Sequence, residues 1–334
     1  MTLANASPDR LIHPLVWRTD DGSVRRLLTI KSGMCGRNSL FVGQIGDWTW
    51  DTVSEVCGTD VYRAFGAGGR PSYLSFYYFH IRPGRTLHPD ALTFGDRLEV
   101  TSRVFGFGSQ SVLTLHRLRR PEAGAAAGGG DPGLDPDEFF LAPRPDCAYV
   151  QNFNRWISRS HSGRNEELVT NSPPGFEYRH LPTLPEQFSP RLACGRARAT
   201  GTFHDPARDP GWDPLVTGYE VDYPIDITRD LNGVGLLYFA SYFSILDGAL
   251  LKLWRHQGRP DRAFLDRTVL DHRLCYLGNA DFDSVLRIRL STWCRPADHG
   301  EEIWNAEVAD RASGRPLAVC TLRVRLEGTD GHDH

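Results

Sequence analysis

Gly43–Arg82 reads GQIGDWTWDTVSEVCGTDVYRAFGAGGRPSYLSFYYFHIR. An amphipathic segment bounded by glycines runs into a long aromatic strand, and that succession decides the fold class. Gly43 and Gly46 break the apolar run before them, so a glycine turn is expected there. Asp47 suits the N-cap of the following helix, because its carboxylate can accept the free N–H groups of a first turn. Trp48, Thr52, Val53 and Val56 recur at three- and four-residue spacing and give the helix one apolar face. Gly58 stops it. Gly66–Pro71 forms a loop, and Tyr73–Ile81 reads as the strand. On this reading the backbone N–H groups of Ile45, Gly46, Asp47 and Trp48 open the helix and face any oxygen that gains negative charge there.

Upstream, Arg25–Ile30 reads as a short strand, and Cys35-Gly36-Arg37-Asn38 as the turn that leads to the central helix. Downstream, Asp96–Phe107 and Gln110–Arg120 read as two long strands joined at Gly108-Ser109, rich in Val, Leu, Phe and Thr. Pro121–Asp137 is low in complexity and has little to bury, which predicts a surface loop. Cys147–Ser160 resumes strand character.

Leu215 to about Glu327 repeats the order of the first half. Leu215–Ile227 is strand-like, Asp230–Gly235 is a turn, and Leu236–His256 is a long apolar helix. Leu265–Tyr276, Ser284–Cys294, Ile303–Asp310 and Pro316–Leu326 read as strands. Ile45-Gly46 and Val234-Gly235 occupy corresponding places, and the strands beginning near Asp96 and Ser284 keep almost the same separation. That is an internal duplication of a β-α-β-β-β-β unit. The fold class expected is α+β, a double hot dog: each long helix wrapped by an antiparallel sheet. The expected division is 1–160 for the first unit, 161–214 for a proline-rich connection, and 215–334 for the second unit.

Composition narrows the function classes. The chain of 334 residues has an apolar share of 40% and a formal net charge of −3, which gives no reason to expect nucleic acid or an anionic membrane as partner. The seven cysteines include no C-x-x-C pair, so no zinc site is visible. No signal peptide and no membrane span are expected, and the compartment expected is the cytoplasm.

Two resemblances add to this reading. Asp230, Asn232, Gly233 and Tyr238 are similar to the signature of single hot-dog acyl-CoA thioesterases, with Val234 where that signature has a histidine. More specifically, MCGRNSLFVGQIGDWTWDTVSEVCGTDVY (Met34–Tyr62) and PSYLSFYYFHIRPG (Pro71–Gly84) resemble the bifunctional acyltransferase/decarboxylases of leinamycin biosynthesis and related polyketide antibiotic pathways, the LnmK family. The resemblance implies decarboxylation of methylmalonyl-CoA. It also implies delivery of propionyl to the phosphopantetheine thiol of an acyl carrier protein, with Tyr62 as the acyl-accepting residue. No cofactor beyond these acyl carriers is expected, and a homodimer is. Arg37, Asn38, Gln44, Ile45, Gly46, Asp47, Trp48, Thr59 and Asp60 are the candidate substrate-binding residues, chosen by position. A phenol needs help to ionise near neutral pH, and Arg37, Arg63 and Arg70 are near enough in sequence to supply it. Two other readings stand beside this one: a hot-dog thioesterase, and a non-catalytic module that binds acyl carrier protein.

Overall fold

The computed structural model describes residues 13–35, 39–121, 133–205, 208–295 and 298–326. In chain order the elements are β1 (Leu15–Arg18), β2 (Val24–Thr29), α1 (Ser39–Cys57), β3 (Tyr73–Arg82), β4 (Arg97–Gly106), β5 (Ser111–Arg119), α2 (Pro136–Phe140), β6 (Cys147–Arg159), β7 (Leu168–Thr170), α3 (Pro190–Thr200), β8 (Asp213–Pro224), α4 (Ser241–His256), α5 (Asp261–Asp266), β9 (Thr268–Tyr276), β10 (Val285–Arg295), β11 (Asp298–Asp310) and β12 (Pro316–Arg325). Most of the low-complexity stretch, and both Arg37 and Asn38, lie outside the described residues.

One antiparallel sheet carries the molecule, in the order β1-β2-β4-β5-β6-β3-β9-β12-β11-β10-β8, with β7 added beside β6. Both halves follow one plan. The strand before the helix is followed in space by the third, fourth and fifth strands, and the strand just after the helix closes the set at the centre. The two central strands, β3 and β9, pair with each other from Tyr78↔Cys275 to Ile81↔His272. This is the α+β double hot dog expected from the duplication. A single apolar core joins the halves: Ile45 and Trp48 of α1, Ile245 and Leu250 of α4, and inward residues of both sheet halves belong to one cluster.

Three sequence expectations are corrected. α1 begins at Ser39 rather than after Asp47, so Gly43 and Gly46 lie inside the helix. The N–H groups of Ile45 to Trp48 are therefore interior helix donors, engaged with carbonyls one turn back. The glycines are present for packing. A methyl group at Gly46 would overlap the Phe239 ring, and one at Gly43 would come to 3.1 Å from the Tyr238 hydroxyl. Second, α4 begins at Ser241, and Leu236–Ala240 approach it as an irregular segment. Third, the long connection carries β7 and α3.

α1 holds together for local reasons. Thr49 and Thr52 are buried, and each hydroxyl donates to the carbonyl four residues back, at Ile45 and Trp48. Asp47, Asp51 and Glu55 fall on the opposite, exposed face at four-residue intervals. Gly58 ends the helix at φ +61°.

Candidate active site

A single 3-10 turn, Val61–Arg63, follows α1 and sets the position of Tyr62. Asp60 caps it by accepting the Tyr62 N–H at 3.0 Å. Val61 is buried, which turns the Tyr62 ring outward, and the ring is 57% exposed. Its hydroxyl donates to Asp51 Oδ1 at 2.8 Å. Its ring stands nearly perpendicular to that of Trp50, with ring centroids 6.0 Å apart.

Tyr62 stands at the edge of a cavity of about 390 Å3 between the two halves. Trp50, Leu74, Phe76 and Tyr77 line one side. Asn232–Val234, Leu236–Phe239 and Tyr276–Asn279 line the other. The second-half wall is tied down. The Asn279 side chain both accepts from Leu237 N–H and donates to Leu237 C=O, each at 3.0 Å. Tyr276 Oη donates to the Phe239 carbonyl at 3.0 Å. Arg159 of β6 and Asn165 of the connection that follows donate to the carbonyls of Val234 and Gly235. Phe239 then stacks on Phe76, centroids 4.0 Å apart.

The electrostatics differ from the sequence expectation. The cation whose charge reaches the Tyr62 phenol is Arg26 of β2, rather than Arg63 or Arg70. Arg26 is only 3% exposed, and its guanidinium donates to Thr52 Oγ1 at 2.9 Å. Its pull is outweighed. Partial desolvation, the hydrogen bond to Asp51, and the charges of Asp51 and Asp47 raise the Tyr62 pKa well above that of a free phenol. The phenol is neutral in the resting protein. Asp47 is itself raised, first by desolvation against the protein and then by Asp51.

The candidate residues separate into groups. Tyr62 lines the cavity, Asp60 caps the turn that carries it without lining the cavity itself, and Asp47 contributes charge from the exposed face of α1. Ile45 and Trp48 are core residues, and Gly46 is a packing position. Gln44 is half-buried on α1. Thr59 holds the helix end by donating to the carbonyls of Cys57 and Gly175. Sequence reasoning missed Asp51 and Arg26. Asp51 had a signal, as the middle member of the Asp47, Asp51, Glu55 stripe; Arg26 had none, since a distant strand brings it in. Asp230 is not a free carboxylate. It is 1% exposed and accepts from the Tyr223 hydroxyl and the Asp226 N–H. Among the described residues no group of three or more His, Cys, Asp or Glu could hold a metal ion, and no helix is long and apolar enough to cross a membrane.

Comparison with solved structures recovers the fold. A 12:0-ACP thioesterase from Umbellularia californica aligns with a TM-score of 0.52 at 14% identity, over 91% of this chain and 98% of its own. An acyl-ACP thioesterase from Bacteroides thetaiotaomicron aligns with a TM-score of 0.50 at 8% identity, over the same shares. Comparison with curated proteins finds no match. The family model described as LnmK N-terminal Hot Dog Fold domain matches residues 25–205, a span that holds α1, Tyr62, Asp51 and the first-half wall of the cavity. The chain belongs to the LnmK N-terminal hot-dog fold family.

Proposed function

We propose that this protein is an acyl-thioester enzyme that decarboxylates methylmalonyl-CoA and passes the propionyl group through Tyr62 to the phosphopantetheine thiol of an acyl carrier protein. Family membership supports the substrate class. The observation that carries the chemistry is the Tyr62 hydroxyl donating to Asp51 at the edge of the cavity between the halves. A neutral phenol is a poor nucleophile, and a carboxylate already accepting its proton is a built-in general base.

In the transfer, Asp51 takes the phenol proton as the Tyr62 oxygen bonds to the thioester carbonyl carbon. The carbon–sulfur bond breaks, and the CoA thiolate leaves with that proton. The carrier thiol then attacks the tyrosyl ester, and its proton returns to the phenolate oxygen by way of Asp51. In the decarboxylation, the bond to the carboxylate carbon breaks, carbon dioxide leaves, and the electron pair forms the thioester enolate. Carboxylates at Asp47, Asp51 and Glu55 on one helix face disfavour a substrate carboxylate nearby, which its loss relieves. The enolate carbon then takes a proton from solvent, which completes the propionyl group.

Hydrolysis at the second-half signature is disfavoured because Asp230 is buried and engaged. Intact-protein mass after incubation with methylmalonyl-CoA, without carrier protein, tests the reading. Wild type gains a propionyl adduct and Tyr62→Phe does not. Free CoA released with neither protein labelled defeats the tyrosyl-ester route.

A further inference from the structure

The seam between β3 and β9 is closed along only part of its length. Pairing ends at Tyr78↔Cys275, yet β3 extends back to Tyr73 with β6 on its other side. The cavity runs along this unpaired stretch.

The register shows which groups face the gap. Leu74 stands opposite Trp156. The Trp156 N–H donates to the Gln110 carbonyl and its own carbonyl accepts from Asn171 N–H, both on the side of β6 away from β3. Leu74 and Trp156 are therefore a non-hydrogen-bonded pair, and the backbone groups of Leu74 point away from β6. Those of Phe76, two residues on, point the same way. One of these groups is already used: the Leu74 carbonyl accepts from Trp50 Nε1 at 2.9 Å. Phe76 is buried, pairs with no residue of β9, and lines the cavity.

We propose that this edge of β3 binds the pantetheine arm of the thioester carrier as an added strand, a proposal that rests on the acyl-thioester reading above. The arm is one extended chain wide and carries two amides. Its β-alanine unit has an N–H and a C=O separated by two methylenes. In extended form it meets Phe76 as an opposing strand residue would: Phe76 N–H donates to the arm's carbonyl, and the arm's N–H donates to Phe76 C=O. Leu236, Leu237 and Phe239 on the facing wall cover the methylenes. Trp50, which touches both Phe76 and Tyr62, marks the end where the thioester lies. The Trp50 indole keeps the rail one residue long by occupying the Leu74 carbonyl.

Two measurements on the full-length protein test this. The first is hydrogen exchange resolved to single amides, with and without S-propyl-coenzyme A. Phe76 N–H slows on binding, while Tyr78 N–H, already within the paired stretch, changes little. The second is calorimetry of S-propyl-pantetheine against an analogue in which an ester oxygen replaces the β-alanine N–H. Loss of that donor weakens binding about five- to tenfold. Binding with Phe76 exchange unchanged, or equal affinity for both analogues, overturns the rail and leaves the thioester reading intact. No binding of either compound overturns both.

Discussion

Gly46 of α1 meets the tip of the Phe239 ring, with no room for even a methyl group between helix and ring. The contact joins the halves, because Phe239 belongs to the wall leading into α4 and also stacks on Phe76 of β3. Gly46→Ala must push the ring into the cavity or spread the two helices. Overpacking of this kind costs about 1–3 kcal/mol. Urea unfolding is expected to give a lower midpoint with an unchanged slope, together with weaker binding of acyl-CoA. An unaltered midpoint would mean that the two halves are not packed this closely.

Asp51→Asn removes the base while leaving an exposed helix position undisturbed. Rates of acyl transfer are expected to fall about 10²- to 10⁴-fold, with the melting temperature nearly unchanged. The same change removes the negative charge, and with it the charge-assisted strength of the hydrogen bond, that hold the Tyr62 phenol up. The tyrosine therefore titrates at lower pH in the variant, read as phenolate absorbance gained relative to wild type. Because the folded pKa of Tyr62 is raised, its contribution to stability is complete below pH 10 and declines above it.

Acid should weaken the fold earlier than carboxylate protonation alone would. His116 is fully buried, hydrogen-bonded to Ser102 and Thr49, and depressed to about 3 by burial and then by the Arg26 charge. His272 is depressed to about 3, chiefly by burial. An unfolded histidine takes up a proton near pH 6.5, which the folded one refuses. The stability from neutral burial is therefore present above pH 6.5 and is lost progressively as pH falls toward 3. The unfolding free energy should begin to drop near pH 6.5, and His116→Gln should flatten that limb. A decline starting only below pH 4 would point to carboxylates instead.

Asn279→Ala strips both hydrogen bonds from the Leu237 backbone in the cavity wall. Two groups left unsatisfied cost about 2–4 kcal/mol in stability. The wall loosens beside the acyl chain, so KM for the thioester should rise several-fold while the yield of tyrosyl ester at saturation is kept. Asn279→Asp keeps only the acceptor for Leu237 N–H and should fall between wild type and alanine.

The sequence by itself determined the class of architecture. Apolar spacing, strand alternation and the repeated order of elements are local properties, and they suffice for two β-α-β-β-β-β units in an α+β double hot dog. It also pointed to Tyr62, through family resemblance. Tertiary structure decided the beginning of α1. Glycines that read locally as helix breakers are tolerated inside the helix because Tyr238 and Phe239 pack onto them from nearly two hundred residues away. It also decided the surroundings of Tyr62. Arg26 arrives from another strand, and the nearest cations in sequence are not the ones whose charge reaches the phenol. The cavity itself belongs to neither half, since its walls come from β3 and from the segment before α4. Periodicity reports which face of an element is buried, but not what it is buried against. Sites formed where two halves meet are therefore settled only by packing.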